Sequence, residues 1–336
     1  MAYNIIFNEE KWEKVNPENK IIIQDYITEC KARKKKESTI RQYGNDLRII
    51  MIFILEKCGN RPVTELNRKD FRKMILWLTD DLGVSNARAN RLMSCCRSLL
   101  AYLEEDDDYD YDINQAAKVK GLGNESVREI VFLDRETIDK LYDYFMSNRK
   151  YRDATLLALG IESSGRKAEL SQVLKDSITD DGHYTNIVVG KRGKKFPLIY
   201  FNHTREAAKM YLEQRGEDNI PELFITKYDV PARKEVLYDM VVSWRPIIKE
   251  LTGKDLDVNV HSLRHSALQL YKTGENWPCT ENNLGPIPLD QLKNIARHSS
   301  VETTLGYLID DTENELANAL GIGVHESFSE NSDKQQ

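Results

Sequence analysis

The chain has 336 residues, with 48 Lys plus Arg against 54 Asp plus Glu and a formal net charge of −6. That length accommodates two domains with separate cores, and no stretch approaches the roughly 18 apolar residues of a membrane span. The first ten residues lack the basic-then-apolar pattern of a secretory signal. The cysteines (Cys30, Cys58, Cys95, Cys96, Cys279) are odd in number and scattered, which points to a reduced, cytoplasmic chain without a structural metal.

The charge is unevenly spread. Glu104, Glu105, Asp106, Asp107, Asp108, Asp110 and Asp112 carry −7 between them, so the remainder sums to +1. Upstream, Lys31, Arg33, Lys34, Lys35 and Lys36 form a basic cluster. Phosphate binding follows local potential rather than the chain total. A solvated helix end has the same composition, so both readings stay open.

In chain order, residues 1–17 read as an N-terminal extension and residues 18–118 as a bundle of four short helices. Ile22, Tyr26 and Ile27 give the first an apolar face. Ser38 is expected to cap the second, which carries Tyr43, Leu47, Ile50 and Ile54 at helical spacing. Asn67 and Asp70 open the third, with Phe71, Met74, Ile75 and Leu78. Ser85 opens the fourth, with Leu92, Cys96, Leu99 and Leu103 on one face and Arg88, Arg91 and Arg97 elsewhere. Residues 119–130 are expected to be a linker, because glycines flank Lys120 after the acidic run.

Residues 131–322 read as an α+β domain. Asp134 starts a helix with Ile138, Leu141, Tyr142 and Phe145, and another helix follows from Tyr151. The apolar run Ile187–Val189, a Gly-Lys-Arg-Gly turn and Phe196–Phe201 predict a hairpin. From about His203 to Leu320 the pattern is helical again, broken by a Gly- and Pro-containing loop over Thr273–Pro288. Residues 323–336 are polar and expected to be disordered. The fold class expected is mainly α with a small antiparallel sheet.

Four segments combine chemistry with order. They are Gly165-Arg166-Lys167-Ala168-Glu169-Leu170, the turn Gly190-Lys191-Arg192-Gly193-Lys194-Lys195, His261-Ser262-Leu263-Arg264-His265, and Arg297-His298-Ser299-Ser300-Val301-Glu302-Thr303-Thr304-Leu305-Gly306-Tyr307. Singly, each has a plain alternative: a helical Arg–Glu pair, a solvated turn, a His-x-x-x-His helix face lacking the protease glutamate, and an ordinary tyrosine. Together, in this order, they resemble the tyrosine recombinase (phage integrase) family. That family carries Arg-x-x-Glu-Leu, a hairpin lysine, His-x-Leu-Arg-His and a terminal His-Ser-Ser-x-x-Thr-Thr-x-x-Tyr. The N-terminal helices resemble its core-binding domain, with Ser38-Thr39, Tyr43 through Asp46-Leu47, and Asn114 near the end of the bundle. The likeness spans residues 18–320. This chain departs from the pattern in having Ser164-Gly165 directly before Arg166, Ala296-Arg297 in place of Leu-Gly, and Asn114-Gln115 in place of Asn-Pro. The Thr273–Pro288 loop also lengthens the gap between Arg264 and His298.

The resemblance implies a site-specific DNA recombinase or integrase that cleaves and rejoins duplex DNA through a 3′-phosphotyrosyl intermediate. A type IB topoisomerase-like nicking and resealing enzyme is the alternative. It implies Tyr307 as nucleophile, and Arg166 and Arg264 forked onto the non-bridging oxygens. His298 is a further donor, His261 a proton acceptor, and Lys191 the acid for the 5′-oxygen, with Lys194 and Lys195 close enough in sequence to be mistaken for it. Glu169 orients the arginine. Lys34, Lys35, Lys36, Arg41, Arg88 and Arg91 are the expected DNA contacts. No cofactor, metal or ATP is implied, and no membrane. The implied partners are double-stranded DNA clamped between the domains, further copies of the chain in a tetramer on two sites, and accessory DNA-bending proteins. A cytoplasmic, nucleoid-associated protein of bacterial or phage origin follows. After Tyr307, Asp310–Thr312 could cap a helix with Leu316, Ala319 and Leu320, which either packs on its own domain or docks into a neighbour.

Overall fold

The computed structural model describes residues 7–123 and 130–309. The chain divides into two compact units, Met1–Glu129 and Ile130–Gln336, each with its own apolar core. The described residues are mainly helical with one two-stranded antiparallel sheet, the fold class expected. No helix among the described residues is long and apolar enough to cross a membrane.

The first unit contains α1 (Glu9–Lys14), α2 (Pro17–Ala32), α3 (Glu37–Lys57), α4 (Arg68–Leu76) and α5 (Asn86–Glu105). Asn67 and Asp70 form a reciprocal cap at the start of α4, and Ser85 caps α5 through the Arg88 N–H. Leu47, Ile50, Ile54, Phe71, Leu92, Cys96 and Leu99 are buried where the spacing put them. Ser38 does not cap α3. The backbone turns helical earlier, and the Lys36 carbonyl already accepts from Thr39 N (2.8 Å) and Ile40 N (3.1 Å). The extension includes α1, capped by Asn8, which was not anticipated. Asn114 is buried, and its amide donates to the Arg97 carbonyl of α5 (2.9 Å).

The second unit contains α6 (Arg135–Ser147, capped by Asp134), α7 (Tyr151–Ser163) and the short α8 (Lys167–Leu170). Strands β1 (Tyr184–Val189) and β2 (Lys195–Ile199) follow, paired Val188 to Phe196 and Val189 to Lys195. The hairpin thus begins earlier and ends earlier than expected. Then come α9 (Asn202–Arg215), α10 (Lys234–Val242), α11 (Arg245–Thr252), α12 (Val260–Thr273), α13 (Trp277–Glu281), α14 (Leu289–Ala296) and α15 (Val301–Leu305). Residues 216–233 are not helical, contrary to the periodicity. Gly216 breaks α9 at φ 74, and the Arg215 guanidinium gathers the carbonyls of Ile220, Glu222 and Leu223. The Thr273–Pro288 loop encloses α13, whose Trp277 is buried and stacks on His203 at 4.0 Å between centroids. Pro278 lies in the first turn of α13, where proline is compatible with a helix, and the indole Nε1 donates to Asp139 Oδ1 (2.7 Å). The expected helix after Asp310 and the tail lie outside the described residues.

Helix α7 runs through the centre of this core, buried from Ala154 to Ser163. Near its end Glu162 is fully buried, and its carboxylate accepts from Phe201 N (2.7 Å), His203 N (3.2 Å) and Thr204 Oγ1 (2.5 Å). It therefore caps α9 from another element, where a negative charge meets the positive end of the helix dipole. Burial still outweighs those donors and raises its pKa from 4.5 to about 7. A raised carboxyl stabilises the fold fully below its unfolded pKa and loses that contribution as pH rises through the folded value. The melting temperature of the wild type minus that of Glu162→Gln should therefore fall between about pH 5 and pH 8. A difference that stays flat across that range would contradict this account of Glu162.

Candidate active site

A helix leaves its last carbonyls without internal partners. At the end of α7 those carbonyls are taken up by side chains from distant segments. Tyr271 Oη donates to Glu162 O (2.6 Å), Arg297 Nη2 to Ser163 O (3.0 Å) and Arg264 Nη1 to Ser164 O. Ser164 is left-handed (φ 50) and turns the chain toward Gly165 and Arg166. Guanidinium groups suit a helix C-terminus, where the dipole is negative.

Arg264, on α12, is fully buried. It also donates to the Ala296 carbonyl at the end of α14, and its Nε has no partner. Among the described residues no carboxylate forms an ion pair with it. Burial, then the charges of Arg166 and Arg297, pull its pKa down to about 9, which still leaves it cationic at neutral pH. Arg166 sits at the start of α8. Its guanidinium donates to Glu169 Oε1 and its backbone N–H to Glu169 Oε2, both at 3.0 Å. Glu169, itself buried, also lies 3.7 Å from Arg297 Nη2. Arg166 and Arg297 share the Glu169 carboxylate and Arg264 adds a third guanidinium, so this cluster carries a net charge of +2 with its histidines neutral.

Three imidazoles surround the Tyr307 ring. Centroid distances are 4.4 Å to His265, 4.8 Å to His298 and 5.2 Å to His261, with the Arg264 guanidinium 5.2 Å from the ring centre. His265 Nδ1 lies 3.0 Å from the Tyr307 carbonyl, so it anchors the backbone of Tyr307. His298 Nε2 lies 2.9 Å from Arg264 Nη2, and Nδ1 lies 3.0 Å from Thr304 Oγ1. Arginine can only donate, so Nε2 accepts and the neutral ring carries its proton on Nδ1. Desolvation, then the arginines, hold His298 at about 4. His261 sits at the open side of the cluster and is lowered to about 4 by desolvation, then by His265 and the arginines.

Arg166, Glu169, His261, Arg264, His298 and Tyr307 thus meet in one place. Lys191 does not touch them. It is exposed in the hairpin turn, as are Lys194 and Lys195, and among the described residues no hydrogen bond or ion pair holds its ammonium. The root of the hairpin is close, however. A Cβ on Gly190 would lie 2.7 Å from the Phe196 ring and 3.1 Å from Glu169 Oε1, so only glycine fits there. Of the expected DNA contacts, Lys34, Lys36 and Arg41 are exposed on the first unit. Lys35 lies over the Tyr43 ring at 5.0 Å. Arg88 and Arg91 both pair with the buried Asp46, at 2.7 and 3.0 Å.

Sequence reasoning missed two participants. Thr304 was seen only as part of a motif, and Arg297 only as a departure from one. Arg297 follows α14 in the left-handed region (φ 56, ψ 36), a conformation that costs a side-chain-bearing residue about 1 kcal/mol. Its guanidinium lies over Phe196, 4.9 Å from the ring centre.

No family model and no curated protein matches the chain. Solved structures do. A XerH site-specific recombinase bound to a palindromic difH substrate aligns at 18% identity over 86% of this chain and 81% of that one, with a TM-score of 0.64. The Tn1549 transposon integrase in complex with circular intermediate DNA aligns at 14% over 88% and 98%, with a TM-score of 0.63. A lambda integrase dimer bound to a COC′ core site aligns at 14% over 85% and 75%, with a TM-score of 0.62. The chain has the tyrosine recombinase fold.

A net-positive pocket should bind an oxyanion, and the anion should favour protonated His298. Saturating sulfate is expected to raise the His298 midpoint from about 4 by roughly one unit or more, followed by NMR of the ring. An unmoved midpoint would contradict the charge assigned to the cluster.

Proposed function

We propose that the chain is a site-specific DNA recombinase that cuts and rejoins duplex DNA through a phosphotyrosyl link to Tyr307. The observation that carries this is the enclosure of the Tyr307 ring by His261, His265, His298 and the buried, carboxylate-free Arg264. Such a pocket stabilises charge that accumulates on a phosphorane, because its cationic groups are gathered beside Tyr307 before the substrate arrives. Lys34, Lys36 and Arg41 supply phosphate contacts from the first unit. Arg91 contributes only the charge that Asp46 leaves uncancelled, and Arg88 chiefly supports the fold.

In the cleavage step, the Tyr307 hydroxyl oxygen attacks phosphorus and the bond from phosphorus to the 5′-oxygen breaks. Arg166 and Arg264 hold the non-bridging oxygens. The phenolic proton passes to His261, and the 5′-oxygen takes a proton from Lys191. With its pKa near 4 in the free site, His261 is a weak base. The bound phosphodiester strengthens it, since the added negative charge favours the imidazolium. His298 can donate to phosphate once Arg264 turns to the substrate. Its proton then resides on Nε2, and Nδ1 accepts from the Thr304 hydroxyl. A 5′-hydroxyl from another strand reverses the step, displacing Tyr307. One phosphoester bond is exchanged for another each time, so no ATP is consumed. Exchange between two sites requires further copies of the chain, which the proposal takes to be a tetramer.

Duplexes from the DNA flanking its gene, nicked near the cleavage site, test the assignment. Tyr307→Phe should keep DNA affinity and form no denaturant-stable adduct; an adduct in this variant would rule out Tyr307. Lys191→Ala should slow cleavage of ordinary DNA by roughly 10²-fold or more. It should leave a 5′-bridging phosphorothiolate substrate nearly unaffected, since a thiolate departs without a proton. Rescue of Lys194→Ala or Lys195→Ala instead would reassign the acid.

A further inference from the structure

We propose that Arg297 is a positioning residue that fixes the lysine-bearing hairpin against the Arg166–Glu169 pair, so that proton delivery to the leaving oxygen depends on it. The inference rests on the phosphotyrosyl reading above and deepens it.

The first observation is conformational. Arg297 occupies a left-handed backbone position, φ 56, immediately before His298. Glycine would hold that conformation without a clash, so the backbone alone gives no reason for arginine. The second observation is where the side chain goes. It is 13% exposed and runs inward instead of to solvent. It reaches three elements at once: the Ser163 carbonyl at the end of α7 (3.0 Å), Glu169 Oε2 on α8 (3.7 Å) and the Phe196 ring on β2 (4.9 Å).

Those contacts place it at the root of the hairpin. Phe196 pairs with Val188 across the sheet and lies against the Gly190 backbone, from which Lys191 follows directly. The other strand is held separately. Gln172, just after α8, donates to the Val189 carbonyl (3.1 Å) and accepts from the Val189 N–H (2.9 Å). Between these two anchors, among the described residues, the turn closes only on itself, through Gly190 N to Lys194 O (2.8 Å) and Gly193 N to Gly190 O (3.3 Å). The position of Lys191 is therefore set at the root. Gln172 ties β1, and Arg297 ties β2 to the carboxylate that orients Arg166. A planar, always-charged fork suits this role, because one face can cover an aromatic ring while its edge meets a carbonyl and a carboxylate.

The test compares wild type, Arg297→Gly and Phe196→Leu on a nicked duplex and on its 5′-bridging phosphorothiolate counterpart. Arg297→Gly relieves the left-handed strain as it removes the contacts, so it should fold. Phe196→Leu keeps the experiment decisive if it does not. Phe196→Leu should form the adduct on ordinary DNA about tenfold or more slowly than wild type and on the thio substrate at close to its rate, and Arg297→Gly, which also lowers the charge of the cluster, should slow ordinary DNA about tenfold or more beyond its effect on the thio substrate. A purely structural role would slow both substrates alike. Equal slowing, or wild-type rates on both, would overturn the positioning role. Wild type that forms no adduct on either substrate would instead bring down the phosphotyrosyl reading on which it rests.

Discussion

Three successive carbonyls at the end of α7, those of Glu162, Ser163 and Ser164, receive Tyr271, Arg297 and Arg264 from segments a hundred or more residues further along the chain. The choice of acceptor matters. A carboxylate would satisfy a guanidinium and also cancel its charge, whereas a carbonyl satisfies the hydrogen bonds and leaves the charge in place. Burying a cation with so little compensation costs several kcal/mol. The rest of the second unit is organised to sustain that cost. α7 is buried along most of its length, Glu162 caps α9, and Glu169 is shared between two further arginines. Arg264 then bridges the ends of α7 and α14, which brings the segment preceding His298 to the Arg166 turn.

The same bond network sets the proton positions around Tyr307. Because Arg264 donates to His298 Nε2, the free site holds that ring neutral with its proton directed at Thr304. His265 is committed to the Tyr307 carbonyl. His261 lies at the open edge, and among the described residues no hydrogen bond engages its ring nitrogens. Three histidines in one cluster thus have three different duties, distinguished by what each nitrogen already bonds. The His-x-x-x-His spacing of His261 and His265 serves this arrangement: both rings turn to the tyrosine, and their centroids are 4.6 Å apart edge to face.

Features that rest on local chemistry were legible in the sequence. Asn67 with Asp70, Ser85 and Asp134 each open the helix assigned to them, because capping is decided within four residues. The order of the Arg166, Arg264, His298 and Tyr307 segments pointed to one site. Features decided by distant partners were not legible. Residues 216–233 look helical until Arg215 collects their carbonyls. The Thr273–Pro288 loop carries a helix because Trp277 finds His203, some seventy residues earlier in the chain. Arg88 and Arg91 read as free charges, but Asp46 on α3 meets both. Arg297 read as an irregularity, and its partners on α7, α8 and β2 are visible only once the chain has folded.

The account's central claim is that the pocket directs a phosphodiester to Tyr307. The most direct measurement is peptide mapping by mass spectrometry of the covalent complex formed on a nicked duplex from the DNA flanking the gene. The account predicts a single modified peptide containing Tyr307, joined to a 3′-phosphate, with a free 5′-hydroxyl on the released strand. A DNA-linked peptide that lacks Tyr307, or a linkage through a 5′-phosphate, would contradict it.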